Sequence, residues 1–196
     1  MKVRHLVVVI LAVIIIVAVA LTLTTRPTKQ YTTVGLVKLP LNAQRIVVST
    51  TAFTNGSVIP ILYTCNGANV SIPISWSNIP PGTKSIVVVM EDLNAPAGPF
   101  MHWVVYDIPP NVTSLSQGLP AVASLPGVGY QGINDFGTVG YGGPCPPPGP
   151  AHEYVIIVMA LDKELPLGPG VPAREVLGSV GVGDVLGYGI LIGYYG

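Results

Sequence analysis

The stretch Gly140–Leu161, GYGGPCPPPGPAHEYVIIVMAL, changes character halfway. Its first half is dominated by glycine and proline, which resist both helix and central strand. From Tyr154 it becomes an unbroken apolar run rich in β-branched residues, as a strand covered on both faces requires. His152 stands at the junction. A second run, Ser85–Asp92 (SIVVVMED), has the same apolar body and closes on acids. These two runs set the class as mainly antiparallel β.

Working outward, further strand-like runs are Arg45–Phe53, Ile59–Thr64, Ile72–Trp76, His102–Ile108 and Leu186–Tyr195. Only Pro172–Val180 (PAREVLGSV) reads as a helix, with Pro at its start and Gly181 after its end. Leu115–Pro150 holds no clear element. Its aromatics Tyr130, Phe136 and Tyr141, and its direct entry into a core strand, argue for an ordered loop wrapped over the sheet.

The N-terminus is of a different kind. Lys2 and Arg4 precede an uncharged run from Leu6 to Thr25. Twenty residues as a helix span roughly 30 Å, about one bilayer core. The basic start points the body outside the cytoplasm, although Arg26 and Lys29 weaken that vote. An uncleaved single-pass anchor is the favoured reading. Ala18-Val19-Ala20 supplies the alternative, secretion after signal cleavage. Three Asn-x-Ser/Thr triplets, at Asn55, Asn69 and Asn111, agree with an outside location. The expected organisation is 1–25 anchor or signal, 26–42 linker, and 43–196 a single domain.

The net charge is zero, but from Lys38 onward nine acids face five bases. A mildly acidic body without a basic patch argues against nucleic-acid binding. Gly127–Gly132 (GVGYQG) fits a dinucleotide fingerprint only in letters, since no strand precedes it and no helix follows. HEYVI fails the zinc-protease pattern at Ile156, and there is no nucleophile elbow. No assembled nucleophile is visible, so an enzyme is not expected, and neither is a cofactor.

Three polar residues remain at the ends of apolar strands: Asp92, His102 and His152. Strict alternation puts His102 on one face with Val104 and Tyr106, and His152 on one face with Tyr154. Taken singly, each histidine reads as a core-edge residue bonded to a carbonyl. Together, beside a Pro/Gly loop, they read as a site. Cys65 and Cys145, an even pair on an extracytoplasmic chain, suggest a disulfide; two buried thiols are the alternative.

GGPCPPPGPAHEY resembles the G-P-x-P-P-x-G-x-H-R-Y signature of the phosphatidylethanolamine-binding protein family. EDLNAPAGPFMHWVVYDIP resembles its D-P-D-A-P segment and H-W-x-V strand, and YTCNGANVSIPISWSNIPPGTKSIVVV is similar to its bacterial and archaeal Raf-kinase-inhibitor-like branch. The resemblance runs from about Ile46 to Tyr194. It implies a β-sandwich-like fold with a small anion pocket lined by Asp92, His102 and His152. Pro96, Trp103 and Tyr154 would lie near it, with Gly143 and Pro144 shaping its wall. The sequence departs from the family pattern at Leu93, Asn94 and Glu153, and Asn94 in place of Asp removes a charge beside the pocket. The expected function is a membrane-tethered binding module for phosphate-bearing ligands, such as phospholipid headgroups. A protein-interaction regulator such as a serine protease inhibitor is the alternative. A metal site built from the two histidines and Asp92 is a weaker one.

Overall fold

A computed structural model describes residues 30–196; the apolar run 6–25 lies outside the described residues, and with it the expected anchor or signal. Among the described residues, no helix is long and apolar enough to cross a membrane.

The two apolar runs form neighbouring strands. β7 (Ser85–Asp92) and β12 (His152–Leu161) pair antiparallel, with Asp92 opposite Tyr154 and Ser85 opposite Leu161. Every residue of β7 is buried, and every residue of β12 except Glu153. Alternation divides them between two cores. Ile86, Val88, Met90, Tyr154, Ile156 and Val158 face one, while Val87, Val89, Val155, Ile157 and Met159 face the other. The sheet around them has eight strands. Its order is β10 (Ser124–Leu125), β11 (Gly129–Gln131), β8 (Phe100–Ile108), β7, β12, β13 (Val185–Tyr195) and β3 (Gln44–Arg45). β5 (Ser57–Val58) pairs with the last part of β13.

Each face of this sheet has its own cover. On the first lies a three-stranded sheet, β4 (Val47–Ser49), β6 (Ile74–Ser77) and β9 (Ser114–Leu115), which sends Ile74, Trp76 and Leu115 inward. On the second lie a hairpin, β1 (Tyr31–Val34) and β2 (Val37–Pro40), and a six-residue helix, α1 (Ala173–Gly178). Val37, Leu39, Ala173 and Val176 fill that second core. The sandwich-like expectation therefore describes one face, and a third layer covers the other.

The hairpin corrects the 26–42 linker. Residues 31–40 belong to the folded body, because Val37 and Leu39 alternate with the exposed Lys38 and are buried against the sheet. Gly35, at φ 56°, makes the turn that the sequence reading took for linker composition. Two strand expectations also change. Ile61–Tyr63 is a 3-10 turn, with only Ser57–Val58 before it extended. Arg45–Phe53 divides into β3 and β4, which join different sheets.

The long loop is ordered, as expected, and contributes β10 and β11 to the sheet edge. Two buried amides organise it. Gln131 accepts from Trp103 Nε1 at 2.9 Å and donates to the carbonyls of Pro120 and Val122. Asn134 accepts from the N–H groups of Phe136 and Thr138 and donates to the carbonyl of Gly140.

Candidate binding site at one end of the sheet

The site begins with a break in alternation. In β8, Trp103 stands opposite Met90 and Met101 opposite Glu91, so His102 is an extra residue, the signature of a β-bulge. The bulge overturns the strict-alternation reading. Val104 and Tyr106 enter the second core, whereas the His102 ring packs edge-on against Tyr154 of the first, 5.2 Å between centroids. Phe100 and Phe136 enclose the same ring.

His102 Nδ1 lies 2.7 Å from the carbonyl oxygen of Gly142. A carbonyl only accepts, so Nδ1 carries the hydrogen and Nε2 is an acceptor. Burial lowers the pKa of this histidine, with Gly142 and the charge of Asp92 pulling the other way. It is a neutral, fixed tautomer.

His152 differs. Its Nδ1 is 2.7 Å from Asp92 Oδ2, both residues being nearly buried. Asp92 Oδ1 accepts the Asn94 N–H at 2.8 Å, so Nδ1 is the donor and Nε2 is the ring's second polar atom. Tyr154, one strand position from Glu153 and opposite Asp92, completes the corner. Its hydroxyl is buried without a hydrogen-bond partner of acceptable geometry, although Asp92 and the backbone of Cys145 lie beside it. Burial first, then the charge of Asp92, push its pKa up, so it stays a neutral donor.

The Pro/Gly segment fixes this corner from outside. Gly142 N–H donates to the His102 carbonyl at 2.9 Å, which makes its contact with His102 reciprocal. Gly143 donates to Asn69 Oδ1 at 2.7 Å, and a Cβ there would stand 2.3 Å from the Tyr63 carbonyl. The Pro144 carbonyl accepts from Cys65, and Cys65–Cys145 is a disulfide with Cα atoms 5.4 Å apart. Glycine at 143 and the bridge together press the segment against the 3-10 turn.

Not every expected residue meets here. Asp92, His102, His152 and Tyr154 converge, and Gly143 and Pro144 hold the adjoining backbone. Trp103 is fully buried in the first core and gives its indole N–H to Gln131 instead. Pro96 is an exposed residue of the turn after β7. Asn94 accepts from the Glu153 N–H at 2.8 Å, a bond that an amide oxygen makes as well as a carboxylate does. The sequence reading missed Gln131 and Asn134, and it took Phe136 only as a loop aromatic. Buried amides inside a Gly/Pro loop were the signal available.

Among the described residues, no group of three His, Cys, Asp or Glu is placed to hold a metal. Each imidazole commits Nδ1, one to a carbonyl and one to Asp92, which leaves Nε2 as the ring nitrogen each could turn to a ligand. The corner is almost closed, with His152 9% and His102 2% exposed. Cavities also lie elsewhere, including one of about 340 Å³ between the hairpin and α1. That cavity is lined mainly by apolar residues with Lys38 and Arg174 among them and has no histidine–carboxyl pair, so chemistry rather than volume selects the site.

A family model described as phosphatidylethanolamine-binding protein matches residues 49–196. A UPF0098 protein of Aquifex aeolicus (strain VF5) is 47% identical over 146 residues, 74% of this chain and 84% of its own. Among solved structures, CT736 of Chlamydia trachomatis, a homolog of the phosphatidylethanolamine-binding proteins, aligns with TM-score 0.69 and 32% identity, over 79% of this chain and 99% of its own. YbcL of E. coli, described as a member of the mammalian PEBP family, aligns at TM-score 0.66 and 28% identity, over 77% and 98%. The chain belongs to the phosphatidylethanolamine-binding protein family.

Proposed function

We propose that the His152–Asp92–Tyr154 corner binds a small phosphate-bearing anion, on a body held outside the cytoplasm by an apolar anchor at residues 6–25. The observation that carries the binding reading is the buried Tyr154 hydroxyl, outside good hydrogen-bond geometry with the Asp92 carboxyl and Cys145 backbone beside it, next to a histidine–carboxyl pair. An unsatisfied buried hydroxyl costs about 1–3 kcal/mol, and a ligand oxygen placed on it removes that penalty. His152 adds the charge. With Nδ1–H given to Asp92, Nε2 must take a proton before it donates to phosphate. The neutral His102, with Nε2 an acceptor, suits a protonated phosphate oxygen. Hydrogen phosphate monoesters offer both kinds of group.

A structure of residues 30–196 with phosphoethanolamine tests the reading. It places a phosphate oxygen within hydrogen-bond distance of His152 Nε2 and of Tyr154 Oη. Phosphoethanolamine held elsewhere, with this corner unoccupied, overturns it. The body must begin before Tyr31, because trimming to Val37 removes β1 and strips the hairpin from the second core.

A further inference from the structure

The cover on the second face of the central sheet is made of short pieces, a hairpin of four-residue strands and a six-residue helix, and it does not close. Between β2 and α1 it leaves a cavity of about 340 Å³, within the size range of small-ligand sites. Met159 of β12, fully buried in the second core, bounds the cavity on the sheet side. Leu36 from the hairpin, Leu177 from the helix and Val180 just after it stand around it, all three only partly buried. Two cations, Lys38 and Arg174, join these apolar walls, and among the described residues no acid lines the cavity.

The charges give the ligand its sign. From Lys38 onward the chain has five bases against nine acids, yet two of those bases meet here. Arg174 is already balanced. Its Nε and Nη2 donate to Asp135 at 3.1 and 2.6 Å, and Nη2 also donates to the Pro99 carbonyl. Lys38 takes part in none of the ion pairs among the described residues, and its ammonium lies 5.7 Å from the centre of the Tyr31 ring. Glu91 lies behind Leu36, whose N–H it accepts at 2.8 Å, and burial keeps it protonated up to about pH 7. The other charged groups near Glu91, Arg174 and Asp135, are the two already paired. Below that pH the cavity therefore presents apolar walls and one uncompensated positive charge. We propose that it binds an aliphatic monocarboxylate, its chain against Leu36, Met159, Leu177 and Val180 and its carboxylate toward Lys38. A cationic head is repelled there, and a neutral one forgoes the attraction. The cavity shares no residue with the His152 corner, and the two readings stand or fall separately.

The test titrates octanoate, about one unit below that pH, onto the full chain isotope-labelled at its methionine methyls. Binding is read by NMR, with the medium lacking protein as the blank for partition. The Met159 signal shifts and saturates, while those of Met90 and Met101, which do not line the cavity, move less. Affinity rises roughly two- to fourfold for each methylene added from butanoate to octanoate, as partial to full burial of a methylene gives. Octanol binds several-fold more weakly than octanoate, and octylammonium more weakly still. Lys38 is exposed, so Lys38→Gln leaves the fold intact. It lowers octanoate affinity several-fold and leaves that of octanol unchanged. Gly178 also lines the cavity, and a Cβ added there meets nothing within 4 Å. Gly178→Leu therefore fills the space without a clash and abolishes the Met159 shift. A Met159 signal that octanoate does not move, octanol binding as tightly as octanoate, or a Lys38→Gln variant that keeps the octanoate affinity overturns the proposal. So does a Met159 shift seen in residues 30–196 but not in the full chain, which assigns the cavity to the chain's own N-terminal segment. A Met159 signal that depends on protein concentration without octanoate assigns the cavity to a second copy and overturns it as well.

Discussion

Tyr154 and His152 make separable contributions at the residue scale. Tyr154→Phe removes a hydroxyl that lies outside good hydrogen-bond geometry with Asp92 and the Cys145 backbone, so it changes stability by no more than about 1 kcal/mol, while weakening phosphate binding by about 1 kcal/mol. Paired thermal unfolding and titration of one variant read both effects; a large stability loss contradicts the geometry. Gly143→Ala does the opposite, since its Cβ would stand 2.3 Å from backbone at Tyr63. It destabilises by roughly 1–3 kcal/mol, measured by urea unfolding. These roles were only partly visible in the residues themselves. Asp92, His102 and His152 announced themselves as polar groups at strand ends, and Tyr154 entered only through the family resemblance. The side of the sheet on which His102 falls did not, because a bulge adds a residue without a sequence mark of its own.

Elements carry the pH and redox behaviour. Glu91, the penultimate residue of β7, faces the second core fully buried, with Oε2 bonded to Leu36 N–H and Oε1 without a partner. Burial pushes its pKa up from the ordinary 4.5 to about 7, with the Leu36 bond and Arg174 opposing and Asp135 adding. The folded state thus keeps its proton to higher pH than the unfolded chain. Stability is highest below the unfolded value and falls as pH rises toward about 7, by on the order of 3 kcal/mol. Glu91→Gln abolishes this slope, and thermal unfolding against pH shows whether it does. Gly35 sits directly over Glu91, with no room there for a Cβ, so the carboxyl is what the hairpin turn packs onto. Reduction of Cys65–Cys145, which closes a loop of 80 residues, costs about 2–4 kcal/mol, read by unfolding with and without reductant. The hairpin was hidden in the sequence because four-residue strands of mixed Thr, Lys and Pro carry little periodicity. Its burial comes from the sheet it packs on.

The whole molecule was the most legible scale. Two apolar strands covered on both faces require a layer on each side, and the composition of Ser85–Asp92 and Tyr154–Leu161 stated that requirement. What supplies the second layer, a hairpin and one short helix, depended on long-range packing that no local pattern records. At this scale one claim stands above the others: a phosphate oxygen is held by His152 at the end of the sheet. Calorimetric titration of phosphoethanolamine into residues 30–196, wild type and His152→Ala, across the histidine range of pH, tests it most directly. The wild type binds more tightly as pH falls, with proton uptake on binding, and a sulfate probe, which does not titrate there, follows the same trend. His152→Ala binds at least tenfold more weakly at the acid end, a loss of about 1.5–3 kcal/mol for a charge-assisted hydrogen bond. A variant that binds as tightly as the wild type throughout that range contradicts the account.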